Sequence, residues 1–243
     1  MILSKEFRKQ GVESCKMKNH KIINGNCWVA YFDILGFKKL LEDIIRNSSL
    51  EAFVQTHYLS LLDKLKRDVY WPDHIVYTWA SDSFVLFTFT KENSVRFNCL
   101  LQSAGHFFAD LIQDRWSLRG AISYGEFYAD TEKFIFVGPA LIDAYEYAEK
   151  LEMLGLVVTP IARDRLQKVQ SGYVGSAGDI REFPVPVKPI GTTERLWAYT
   201  FGRHRLTLEG IQQMKKEAEN RGCDESVIQK YDNTLAFLKA TKQ

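Results

Sequence analysis

Asp33 and Asp82 are the residues of this sequence best placed to do chemistry. Each is an acid at the end of an apolar run: Asp33 follows Cys27 to Phe32 (CWVAYF), and Asp82 follows Ile75 to Ala80 (IVYTWA). A buried carboxylate is costly unless it is paired or binds a cation. Either acid alone is better explained as a helix cap or as the acceptor of turn N–H groups. Side by side on adjacent central strands, the two would repel unless a divalent ion lay between them, and their hard oxygens suit magnesium or manganese. Two such ions can activate a hydroxyl and hold a triphosphate for in-line displacement at phosphorus. The Ile34-Leu35-Gly36-Phe37 turn opens a helix, whose first N–H groups can receive phosphate oxygens.

Other chemistries leave no trace. Cys15, Cys27, Cys99 and Cys223 show no CxxC or Cys/His metal spacing, and His20, His57, His74, His106 and His204 form no HExxH pair. GxSxG and Walker-type GxxxxGK[ST] motifs are absent. With no apolar leader ahead of the cysteines, the expectation is free thiols in a reducing, cytoplasmic setting.

The elements that must position the acids follow from periodicity. Cys27 to Phe32 reads as a buried strand. From Gly36 through Leu62, apolar residues recur at three and four, which predicts helix with a break near Asn47-Ser48-Ser49. Ile75 to Ala80 and Phe84 to Phe89 predict a hairpin with Asp82 at its turn. A helix over Ser94 to Gln113, strands over Arg119 to Tyr128 and Phe134 to Val137, and a helix over Leu141 to Met153 come next. A strand at Leu156, a short helix over Ala162 to Val169 and a closing hairpin between Phe183 and Phe201 complete the pattern. Leu206 to Lys239 is polar and helix-forming, with an apolar stripe too narrow for core. This order predicts an α+β domain of ferredoxin-like type, with helices on one face of an antiparallel-rich sheet.

Composition agrees. The 243 residues are 46% apolar and 26% charged, as in an ordinary globular chain, and no apolar run approaches the ~18 residues of a membrane span. The net charge of +2 is concentrated in the first residues, where Lys5, Arg8, Lys9, Lys16, Lys18 and Lys21 face only Glu6 and Glu13. The rest is slightly acidic, which argues against a nucleic-acid-coating surface; the basic arm reads first as a solvated tail and second as a contact for phosphate or an anionic membrane.

The residues also carry a resemblance. YFDILGF, followed about fifty residues later by ASDSF, then LRGAISYGEFY and FIFVGPALIDAYEYAEKLE, resembles the catalytic domain of class III nucleotidyl cyclases. Within that class the sequence is most similar to the pyrimidine cyclases of bacterial Pycsar anti-phage systems. The likeness covers about Trp28 to Phe201, dividing the chain into a basic arm (1–27), a catalytic domain (28–201) and a C-terminal helical extension (202–243).

The resemblance implies that Asp33 and Asp82 hold two Mn2+ or Mg2+ ions, with the Ile34 carbonyl as a further ligand and Gly36 and Phe37 in the phosphate-binding turn. Arg119 and Gly125 match the spacing of an RxGxxxG strand, where a surface or core-edge salt bridge explains the arginine equally well. Lys188 in VPVKPIG resembles the phosphate-contacting lysine of the late hairpin. Purine cyclases of this class read the base at positions that fall here on Thr78 and Ile135. Neither carries the purine-reading group, and unpaired base polar groups cost ~1–3 kcal/mol each, which selects against purines. Tyr58, Tyr77 and Trp79 are the aromatics that would narrow such a pocket. The Asn and Arg that steady the transition state in purine cyclases fall on Ile142 and Glu146, or one turn later on Glu146 and Lys150. The Asn is missing, and Lys150 is the candidate for the Arg.

The implied activity is conversion of UTP or CTP to its 3′,5′-cyclic monophosphate and pyrophosphate. The implied assembly is a homodimer with shared active sites, whose product acts on a separate cyclic-nucleotide-gated effector. The alternatives are a catalytically silent module of the same fold, or a purine or diguanylate cyclase. The absence of a GG pair before Asp82 speaks against the last.

Overall fold

The computed structural model describes residues 22–68, 75–89, 94–169, 180–200 and 204–241; most of the basic arm, with Cys15 and His20, and also His74 lie outside the described residues. The elements are β1 (Ile22–Ile34), α1 (Phe37–Asn47), α2 (Leu50–Phe53), a π-helical turn (Val54–Tyr58), α3 (Leu59–Asp68), β2 (Ile75–Ala80) and β3 (Ser83–Thr88). After them come α4 (Ser94–Gln113), β4 (Leu118–Asp130), β5 (Ile135–Val137), α5 (Pro139–Lys150), β6 (Gly155–Val158) and α6 (Pro160–Val169). The chain ends with β7 (Ile180–Val187), β8 (Thr192–Tyr199), α7 (His204–Asn220) and α8 (Glu225–Thr241).

One sheet takes the order β2-β3-β1-β4-β6-β8-β7, with β5 paired to the end of β4. Only the β4–β6 pair among these is parallel. The run from Cys27 to Phe32 is apolar at every position because β1 lies mid-sheet and is covered on both faces. The expected helix break falls at Ser48-Ser49, where Ser49 Oγ accepts the Ala52 N–H at 3.1 Å and caps α2. The fold class anticipated from the pattern, α+β with helices packed on an antiparallel-rich sheet, is the one observed.

The two faces of the sheet divide the residues cleanly, since directly opposed residues of neighbouring strands share a face. Trp28, Phe32 and Phe84 point to the α4 face, where Trp28 packs on Phe97 at 5.0 Å and Phe32 and Phe84 both pack on Phe107. Tyr31, Asp33, Ser83 and Arg119 point the other way, toward α5. The expectation of helices on one face therefore needs correction. The small side chains Ala140, Ala144 and Ala148 recur every fourth residue along α5 and are buried, which lets this helix lie close against Gly125 and Ser123 on the second face. Helical periodicity marks a buried stripe but cannot say which side of a sheet it covers.

The C-terminal helices also depart from expectation. Ile211, Met214 and Ala218 of α7 and Tyr231, Leu235, Phe237 and Leu238 of α8 are buried, so this pair contributes to the core rather than standing in solvent. Phe237 packs edge-on against Phe183 of β7 at 4.9 Å. Thr234 Oγ1 accepts the Leu154 N–H at 2.9 Å, and Asn233 donates to the Glu152 carbonyl at 2.7 Å.

Candidate active site

At its end, β1 sets Asp33 between Ser83 of β3 and Arg119 of β4. Asp82 occupies the two-residue β2–β3 turn alongside, where Ser81 takes a positive φ of 58° and the Asp82 carbonyl accepts the Ile34 N–H at 3.1 Å. The structure thus brings the two acids together, as their places at the ends of apolar runs suggested.

Arg119 holds the centre of the cluster. Its Nε and Nη2 lie 3.1 and 3.0 Å from Asp33 Oδ2, its Nη1 donates to the Glu149 carbonyl at 2.9 Å, and Nη2 also donates to Glu149 Oε1. Guanidinium geometry suits this bridging, since its fixed fork of donors serves several oxygens at once. Tyr31 and Ser83 share a hydrogen bond of 2.8 Å on the same face. From the neighbouring π-helical turn, Tyr58 donates its hydroxyl to the Ser81 carbonyl at 2.5 Å, bracing the turn that carries Asp82.

The electrostatics follow from this crowding. Burial pushes the Asp33 carboxyl up to about 6; Arg119 opposes the rise, while the charges of Asp82 and Glu149 add to it. Burial also pushes the Tyr31 and Tyr58 hydroxyls up to about 12, and Asp82 contributes to both. A buried carboxyl with two further acids beside it, partly offset by one arginine, is an environment that a further cation would relieve.

The turn after Asp33 is built for backbone contact. Gly36 takes a φ of 74°, a left-handed conformation that favours glycine, while a Cβ there would meet no atom within 4 Å; the backbone angle, and not space, calls for this residue. No side chain caps α1, so its first N–H groups have no built-in side-chain acceptor. Phe37 joins this turn through its backbone alone, for its ring is buried against Phe53.

Other expected positions lie elsewhere. Thr78, opposite Val85, is on the Asp33 face and half-buried. Tyr77 and Trp79 stack on each other on the opposite face, so neither narrows a pocket beside Asp33. Strand alternation changes the face twice in three residues, which the aromatic composition of β2 does not reveal. Ile135 is exposed on β5, and alternation puts its neighbour Phe136, 5.8 Å from Phe87, on the face of Val76 and Thr78. Lys150 is engaged by Glu194 at 2.6 Å and sits 3.4 Å over the Tyr147 ring. The adjacent Glu149, turned about 100° around the helix, is the α5 residue that reaches Arg119. Lys188 is exposed after β7, with its backbone N–H on the Lys150 carbonyl at 2.8 Å.

Glu149, Tyr31 and Ser83 were not singled out from the sequence. Tyr31 was within reach of it, lying two residues before Asp33 and hence on the same strand face; Glu149 was not, because its role depends on how α5 crosses the sheet.

Among the described residues no group of three or more His, Cys, Asp or Glu side chains stands at metal-holding spacing. Any cation here would rest on two carboxylates and a backbone carbonyl, an all-oxygen set that fits magnesium or manganese with water or phosphate completing the shell. No helix among the described residues is long and apolar enough to cross a membrane.

No family model matches this chain, and no curated protein does. Solved structures do share its architecture. The adenylyl cyclase CyaB from P. aeruginosa superposes with a TM-score of 0.51 at 13% identity, covering 76% of this chain and 98% of that one. The dimeric guanylyl cyclase domain of the RhoGC fusion protein from the aquatic fungus Blastocladiella emersonii gives 0.51 at 11%, over 74% and 97%. The catalytic core of a rhodopsin-guanylyl cyclase with converted specificity, solved in complex with ATPalphaS, gives 0.50 at 13%, over 73% and 97%. At these identities the likeness is one of fold, and the fold is that of the class III nucleotidyl cyclase catalytic domain.

Proposed function

We propose that this protein is a nucleotidyl cyclase that closes a pyrimidine nucleoside triphosphate, UTP or CTP, to its 3′,5′-cyclic monophosphate with release of pyrophosphate. The observation that carries the reading is the convergence of Asp33 and Asp82, from β1 and the β2–β3 turn, close enough that the charge of one raises the pKa of the other. Asp33, Asp82 and the Ile34 carbonyl are the groups that would hold two Mn2+ or Mg2+ ions. Bound there, such ions would acidify the ribose 3′-hydroxyl and neutralise charge on the phosphates.

The chain's own residues do the rest. Arg119 restrains the Asp33 carboxylate, and the uncapped start of α1 after Gly36 offers N–H groups to phosphate oxygens. Thr78 and Ile135 supply neither the acid nor the lysine that would pair with a purine edge, which favours the smaller bases. Lys150, once released from Glu194, or the exposed Lys188 would steady charge at phosphorus.

A homodimer with shared sites fits the surface. Ile142 and Tyr145 on α5, the helix that covers the Asp33 face, are large apolar side chains left exposed, and Tyr145 packs edge-on to Tyr31 at 5.4 Å. The product would serve as a second messenger for a separate cyclic-nucleotide-gated effector, in the manner of anti-phage signalling.

A silent nucleotide-binding module is the second reading, favoured by the two Arg119 contacts already made to Asp33 Oδ2 and by the lack of an Asn on α5. Incubation with Mn2+ and each of the four NTPs, with products identified by mass spectrometry, separates the readings. Cyclic UMP or cyclic CMP is expected; cyclic AMP or GMP would move the protein to the purine cyclases, and no product from any NTP would leave the silent module.

A further inference from the structure

The C-terminal helices reach the candidate site through residues 115–117. Leu35, between Ile34 and Gly36, donates its N–H to the Ser117 carbonyl at 2.7 Å. The Ser117 hydroxyl lies 2.8 Å from the hydroxyl of Tyr231 on α8. Two residues earlier, Arg115 has a φ of 66°, a conformation disfavoured for a residue with a side chain, and its guanidinium is held by Glu217 of α7 at 2.8 Å. This short segment is thus gripped from outside by side chains of both helices, while its backbone grips the turn that follows Asp33.

The grip is polar rather than packed. Where α7 and α8 face the Ile34–Gly36 turn there is a cavity of about 210 Å³, lined in part by Leu35, Trp116, Met214, Val227 and Tyr231. Dispersion contact is forfeited across such a gap, so the connection runs through hydrogen bonds. The Arg115–Glu217 pair is largely solvent-exposed and hence weak, whereas Tyr231 is buried. The hydroxyl of Tyr231 is the firmer link.

We propose that Tyr231 is a positioning residue for the Ile34–Gly36 turn, acting through Ser117, so that the C-terminal helix pair sets the backbone geometry on which cations and phosphates would rest. The kinetic consequence rests on the cyclase reading, and the structural one does not.

The experiment therefore reads both. Tyr231→Phe and Ser117→Ala each delete the same hydroxyl pair, and Ser117→Thr retains it. Amide hydrogen exchange on the protein without nucleotide should rise roughly tenfold at Leu35 in either deletion variant, consistent with one lost hydrogen bond, while Val29 to Phe32 keep their protection. The double variant should show no further rise, and Ser117→Thr should match the wild type. The Mn2+ concentration for half-maximal cyclisation should rise by a similar factor in the deletion variants. Unchanged exchange at Leu35 in a folded deletion variant, or additive effects in the double variant, would overturn the proposal; should Tyr231→Phe fail to fold, Ser117→Ala gives the same reading alone. Altered exchange in a protein that cyclises no nucleotide would leave the positioning role standing and remove the cyclase reading instead.

Discussion

Asp33 and Arg119 face each other directly across the β1–β4 pair, and the guanidinium that binds Asp33 also binds Glu149 of α5. A single cation thereby ties the end of the central strand to the helix on that face. Side-chain exposure is 8% for Arg119 and 13% for Asp33, so the pair is shielded from solvent. Removing one partner of such a pair leaves a buried charge uncompensated, at a cost of about 3–5 kcal/mol. Arg119→Ala should lower the denaturation midpoint accordingly. Because it leaves Asp33, Asp82 and Glu149 repelling one another, millimolar Mn2+ should raise the melting temperature of the variant more than that of the wild type. Equal midpoints for the two proteins without metal would show that the network contributes nothing.

The Asp33 carboxyl makes a pH-dependent contribution of predictable sign. Its folded-state pKa of about 6 lies above the ordinary value of 3.8, so the folded protein binds this proton more tightly than the unfolded chain does. The stabilisation from that proton is fully present below pH 3.8 and is lost as the pH rises through 6. Asp33→Asn, which cannot ionise, loses its charge pair with Arg119 but also this pH-linked loss, so its stability relative to the chelator-treated wild type should rise between pH 4 and pH 7.5. Acids held charged for function commonly carry this cost in stability. A relative stability that fell over that range would contradict the assigned direction.

What was legible in the sequence, and what was not, divides along local and non-local lines. Asp33 and Asp82 betray themselves locally, each an acid closing an apolar run, and the Gly36 turn is readable from its residue type. The face on which Tyr77 and Trp79 lie is fixed by hairpin register, and the reach of Glu149 by the crossing of α5, neither of which leaves a mark within a window of ten residues. The burial of α8 was hidden for a different reason. Thr234 and Thr241 count as polar in any pattern, yet both are buried, with hydroxyls donated to the Lys230 and Phe237 carbonyls at 2.7 and 2.9 Å. Hydroxyls satisfied by their own helix let polar residues widen an apolar stripe that looks too narrow.

If the two acids act together on cations, neither alone should suffice. Asp82→Ala removes a half-buried side chain from a turn whose backbone contacts, including the Ile34 N–H bond, remain possible. A folded protein is expected, with cyclisation reduced on the order of a thousandfold or more, as loss of a metal-held charge worth several kcal/mol implies. Asp33→Ala should behave alike in turnover. Near-normal product formation by either variant, measured by chromatography against an NTP standard, would refute the two-acid scheme.

Two glycines of the same strand should respond oppositely to one methyl group. A Cβ on Gly120 would lie 2.5 Å from a ring carbon of Phe32 and 2.7 Å from the Tyr31 carbonyl, so strand β1 itself would have to move. On Gly125 it would meet Ala140 at 3.7 Å, an ordinary contact. Gly120→Ala should therefore cost about 1–3 kcal/mol, whereas Gly125→Ala should be near neutral. Since Gly120 adjoins Arg119, the first substitution should also weaken Mn2+-dependent stabilisation. Equal midpoints for the two variants in urea would show that the sheet yields more freely than its spacing indicates.

The C-terminal helices are the sharpest test of where the domain ends. Phe237 is fully buried, with its ring edge-on to Phe183, and α8 additionally ties down the Leu154 N–H and the Glu152 carbonyl. A solvated appendage would tolerate loss of that ring, because nothing would be packed on it. A core helix would not: Phe237→Ala should cost about 3–5 kcal/mol, with unfolding remaining a single transition in urea because α8 and the sheet share one core. Separate transitions, or a cost below about 1 kcal/mol, would return residues 204–241 to the status of an independent extension. In that case the sheet would have to be stable with Phe183 and the β7 face uncovered, which the exposed apolar area makes unfavourable.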